Sequence, residues 1–116
     1  MGIPIPGAYA SPRIENGVML WYEGDTFDIT ILLELEDQDG AAVEIGKSDT
    51  LKMTFYNAEK ETVHEMSFSN ITNGKITLEF TDEVSAKFPK GRYTYDVEFS
   101  HGDRTTLARD NKVRVE

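Results

Sequence analysis

Two histidines, His64 and His101, and a large set of aspartates and glutamates are the side chains best suited to move protons or hold a metal in this chain. They do not form a recognisable set. The histidines are far apart in sequence, and neither lies in an H-E-x-x-H segment that would put two ligands on one helix face. Cysteine is absent, which removes thiolate metal sites and a cysteine nucleophile. No G-x-S-x-G elbow presents a serine. The glycines stand singly, so no glycine-rich loop can cradle a phosphate. Paired acids such as Glu34 and Glu36, or Asp96 and Glu98, are two residues apart, which places them on one outward strand face where solvation accounts for them. The acidic turn Glu36-Asp37-Gln38-Asp39-Gly40 lacks the ligand spacing of a calcium loop. The expectation is a protein with no catalytic residues, no cofactor and no metal.

The elements that would position any site are strands. In Thr26 to Glu36, Phe27, Ile29, Ile31, Leu33 and Leu35 face one way and polar residues the other, with Leu32 breaking the polar side. In the stretch Lys75 to Asp103, Ile76, Leu78 and Phe80 alternate with polar residues, and so do Tyr93, Tyr95, Val97 and Phe99. Between these two strands Thr81 can cap a helical turn at about 82–88, with Asp82 and Glu83 at its positive end and Pro89 and Gly91 stopping it. Further strands are expected at Gly17 to Tyr22, with Trp21 in or near the core, at Thr50 to Tyr56, and at Thr62 to Phe68, where His64 reads as a partly buried edge residue. Ala41 to Ile45 is a weaker extended piece. Asn73-Gly74 and His101-Gly102-Asp103 are turn signals. After Arg104 to Leu107 the pattern is interrupted over Ala108 to Lys112, and Val113 and Val115 close the chain. Short strands at this spacing predict an all-β, two-sheet antiparallel sandwich of 7–8 strands.

At 116 residues the chain fits one domain, and it needs no disulfide staple at this size. Residues 1–13, with Pro4, Pro6 and Pro12, read as an extended arm, and 14–116 as the sandwich. A net charge of -9 argues against nucleic acid and anionic membrane as partners, since both want clustered cations. No apolar run reaches membrane-spanning length. Met1-Gly2-Ile3-Pro4 lacks the features of a signal peptide. Candidate contacts with a partner protein or a second copy are Ile3, Ile5 and Tyr9 on the arm, and the outward Leu32.

Gly91-Arg92-Tyr93-Thr94-Tyr95, following a helical corner and an Ile-x-Leu-x-Phe strand, resembles the E and F strands of an immunoglobulin-like sandwich, with Tyr93 as the structural corner residue. The chain departs from true immunoglobulin domains in lacking both cysteines and in placing Trp21 early. Over about Gly17 to Glu116, a second resemblance covers more of the chain. The order is Glu23-Gly24-Asp25-Thr26-Phe27, an alternating strand, Asp37 to Gly40, Ile76-Thr77-Leu78, a short helix, and Gly91 to Val97. This looks like the small β-sandwich modules of tailed-phage structural proteins, such as the N-terminal domain of phage baseplate upper proteins. The resemblance implies an immunoglobulin-like, non-enzymatic tail, baseplate or head-fibre adaptor in the virion, assembled in the bacterial host cytoplasm. Its partners would be proteins, either other virion components or further copies of the chain as a homo-oligomer. The alternative is a carbohydrate-binding or adhesive module of a bacterial surface protein, for which Trp21, Tyr22 and Tyr56 would have to form an exposed aromatic platform.

Overall fold

The computed structural model describes residues 13–15, 17–33, 39–41, 45, 46, 48–102 and 104–116. Among them the strands are β1 (Arg13–Glu15), β2 (Val18–Trp21), β3 (Phe27–Leu32), β4 (Thr50–Tyr56), β5 (Thr62–Phe68), β6 (Lys75–Phe80), β7 (Gly91–His101) and β8 (Arg104–Val115), with one helical turn, α1 (Asp82–Ser85), between β6 and β7. One sheet has the order β1-β2-β8-β7-β4-β5, and the other is the pair β3-β6. Their inner faces share a single core, so the fold is an all-β sandwich.

Alternation builds that core. β4 buries Leu51, Met53 and Phe55, and β6 buries Ile76, Leu78 and Phe80. Fully burying an apolar side chain of this size contributes roughly 1.5–3 kcal/mol. Phe27, Ile29 and Ile31 of β3 face the same interior but are only partly buried. Among the described residues β3 pairs with β6 alone. Phe27 nonetheless stacks on Phe80, its cross-strand partner, at 4.6 Å between ring centres.

Four details differ from the sequence expectation. The pairing is not wholly antiparallel, because β2 runs parallel to β8. The two lie near opposite ends of the chain, so no hairpin dictates their relative direction. β8 is continuous through Ala108 to Lys112. The break in alternation is a bulge: the register shifts between Tyr95 and Val97, and Asp110 takes a φ of 58°. Side chains close it, with Asp96 Oδ1 accepting from the Asp110 N–H at 3.0 Å and Asn111 Nδ2 donating to the Tyr95 carbonyl at 3.1 Å. Arg13, the last residue of the expected arm, is paired in β1 opposite Leu20. The helix is one turn, capped at Thr81, whose hydroxyl accepts from the Val84 N–H at 3.3 Å. The chain then drops Phe88 into the core. Residues 1–12, 34–38 and 42–44, and with them most of the arm and of the weak strand at Ala41 to Ile45, lie outside the described residues.

Candidate functional site

The chain reverses between β6 and β7 in a corner that fixes where β7 begins. The Tyr93 hydroxyl donates to the carbonyl of Pro89, four residues upstream, which is the geometry of a tyrosine corner. Burial first, and the Glu23 carboxylate second, raise the Tyr93 phenol above its ordinary range, so it keeps the proton it donates. Ser85 Oγ donates to the Asp25 carbonyl at 2.7 Å, and the Lys90 N–H donates to the Glu23 carboxylate at 2.7 Å. These bonds tie α1 and the start of β7 to the turn that joins β2 and β3.

With Tyr93 turned inward, Arg92 and Thr94 face outward on the six-stranded sheet. Arg92 stands directly opposite Arg114 of β8, and Thr94 opposite Lys112. β2 runs beside β8 with Met19 opposite Val113, which leaves Val18 on the same outer face. Val18, Arg92, Thr94, Lys112 and Arg114 line a groove of about 350 Å³. Lys90 borders an adjoining depression with Arg92 and Arg114. Four of the 12 lysines and arginines therefore gather at one place in a chain of net charge -9. The Arg114 guanidinium donates to Glu116 Oε1 at 2.8 Å. Among the described residues, no carboxylate forms an ion pair with Arg92, Lys112 or Lys90. Like charges placed directly opposite one another in a sheet are destabilising; Glu116 offsets the charge of Arg114, and Arg92 is left facing a like charge without a carboxylate of its own among the described residues.

The outer face of the β3-β6 sheet carries the opposite charge. Asp28 stands directly opposite Glu79, both exposed, with no cation paired to either among the described residues. Next along the ladder, the hydroxyls of Thr30 and Thr77 are 3.1 Å apart. Leu32 lies opposite Lys75 and is 58% exposed. Ile3, Ile5 and Tyr9, the other candidate contacts, lie outside the described residues.

The histidines do not converge. His64 is half-buried on β5, at the edge of its sheet, with Nδ1 3.3 Å from Lys87 Nζ. Burial first, and the Lys87 charge second, hold its pKa below the ordinary imidazole range. His101 is at the other end of the sandwich, where its Nδ1 lies 2.8 Å from Oδ2 of Asp49. Asp49 is only 2% exposed and also accepts from the Gly46 N–H at 2.8 Å. That backbone donor, and then His101, hold its carboxyl below the usual range against the opposing effect of burial. No group of three or more potential metal ligands occurs among the described residues. Trp21 is fully buried, and Tyr22 and Tyr56 are half-buried.

Sequence reasoning missed the Asp49–His101 pair and the cationic groove. Each of Arg92, Lys112 and Arg114 reads alone as an ordinary outward residue. Only the β7-β8 register, shifted by the bulge, shows that two arginines face each other.

No family model, no curated protein and no solved structure matches this chain.

Proposed function

We propose that the chain is a non-enzymatic contact module of a tailed-phage virion, serving as a tail, baseplate or head-fibre adaptor in repeated copies. The observation that carries this reading is the contrast between a filled interior and unsatisfied outer faces. The alternating apolar residues of β4 and β6 are spent on the core, while Arg92, which faces Arg114, and the opposed Asp28 and Glu79 have no counter-charge among the described residues. Surfaces of that kind gain by meeting another protein. The resemblance over Gly17 to Glu116 to phage sandwich modules supplies the virion setting. The sugar-binding alternative needs an exposed aromatic platform, and Trp21, its strongest member, is fully buried. Mass spectrometry of gradient-purified phage particles from the strain that carries the gene tests the proposal. The expected result is peptides of this chain in the particles at multi-copy stoichiometry. Its presence in the lysate together with its absence from the particles would overturn the reading.

A further inference from the structure

We infer that the basic groove receives the acidic outer face of a second copy of this chain, with Arg92 and Arg114 meeting Asp28 and Glu79. The inference rests on the reading of the chain as a protein-contact module and names the partner. Both pairs sit directly opposite across an antiparallel ladder. Directly opposed residues have Cβ atoms about 4.5–5.5 Å apart, so the two arginine stems and the two acidic side chains leave their sheets at one spacing. Arg92 can then grip one carboxylate through two parallel N–H donors, and Arg114 the other in exchange for its bond to Glu116. Lys112 adds a third cation in the groove, and Val18 gives it an apolar wall. Within one molecule the pairs cannot neutralise each other, because they lie on the outer faces of different sheets. Between molecules each removes the other's like-charge cost.

The contact uses two different patches, so it is heterologous. Every copy that has docked still offers a free groove or a free acidic face, and copies add head to tail into a ring or a stack. The overall charge of -9 opposes this at long range. The contact is therefore best read near physiological ionic strength, where charges more than about 8 Å apart are screened.

Sedimentation of the full chain over a wide concentration range tests the inference. The wild type is expected to gain mass as concentration rises. Two double variants, Arg92→Glu with Arg114→Glu and Asp28→Lys with Glu79→Lys, are each expected to weaken self-association by about tenfold or more, because like charges then meet at the contact. Mixing the two variants is expected to restore association, since each supplies the charge that the other lacks. Thermal melts of each variant alone verify that it folds. A wild type that stays monomeric at the highest concentration would overturn the contact. So would variants that associate as well as wild type, or folded variants whose mixture stays monomeric. If the chain is found in particles but these tests fail, this interface is wrong and the virion reading stands. Charge-swap rescue with the chain absent from particles supports the interface and removes the virion reading.

Discussion

The two ends of the sandwich are closed by different physics. At the end that carries α1, aromatic rings fill the space between the sheets. Trp21 packs against Phe80 at 4.9 Å, Phe27 at 5.4 Å and Phe88 at 5.5 Å between ring centres, and Phe55 meets Phe88 edge-on. At the end that carries the β7-β8 turn, the sheet margin is instead held by a buried carboxylate, Asp49, gripped by one backbone amide and one imidazole. The first closure is made chiefly of dispersion and apolar burial, and ionisation enters it only at the margin, through His64 beside Phe88 and Lys87. The second depends on charge and hydrogen bonding, and so on pH. The cationic groove is built at the aromatic end, beside Tyr93 and Val113, so the proposed contact surface stands on the part of the fold held chiefly by apolar packing.

The largest blow to this contrast is Trp21→Ala. Removing a fully buried indole leaves a cavity that the sheets cannot close, at a cost of about 4 kcal/mol read from urea unfolding. The indole N–H has no partner among the described residues, so the loss is of ring packing and not of a hydrogen bond. A value near that of a surface substitution would show that the aromatic end does not hold the fold.

Asp49→Ala comes next, at about 2 kcal/mol near neutral pH, because it orphans the Gly46 N–H and the His101 imidazole. Its pH signature separates the two ends. A carboxyl whose folded pKa is lowered stabilises the protein above the ordinary aspartate value of 3.8 and loses that contribution as pH falls through the folded value. Wild type should therefore lose more stability than Asp49→Ala between about pH 5 and the acid limit. Parallel acid titrations of the two proteins would remove Asp49 from the account.

Tyr93→Phe should cost about 1 kcal/mol, the ordinary worth of one hydrogen bond, with the ring still packed on Phe88. Its effect should not vary between pH 5 and 8, because the raised phenol keeps its proton throughout that range.

The smallest effect is a slope. His64 has a lowered folded pKa, so the unfolded chain binds its proton more readily, and stability falls as pH drops below the ordinary value of 6.5. His64→Gln should flatten this part of the urea-midpoint profile. An unchanged slope would mean that Lys87 and the partial burial of the ring do not act on its ionisation.

Much of the fold was legible because binary alternation is a local signal. β4, β5 and β6 begin and end at the residues expected from alternation and turn chemistry. The Asn73-Gly74 turn also closes as its residues suggest. Both take positive φ, 56° and 67°, and the Lys75 N–H donates to the Thr72 carbonyl at 3.1 Å. The corner was legible through the resemblance of Gly91 to Tyr95 to an immunoglobulin-like F strand, in which the tyrosine hydroxyl bonds back to the backbone upstream. What could not be read was non-local. The parallel β2-β8 pairing follows from how the chain ends meet in space. The bulge at Asp110 looked like an interruption, because an extra residue breaks alternation in the same way that a loop does. Asp49 carried no sign of its burial, since its partner His101 comes from a strand 52 positions along the chain. The Arg92–Arg114 pair needs the shifted register before it exists at all.

Residue-by-residue amide exchange of the native chain tests the central contrast most directly. The account predicts that the slowest amides lie in the paired segments around Phe55, Tyr93 and Val113, including those that frame the groove. Amides near Ser100 and Thr105 should exchange faster and should accelerate further as pH falls through the range in which Asp49 titrates, after correction for intrinsic rates. Slowest exchange at the β7-β8 turn, with the groove strands opening first, would contradict it.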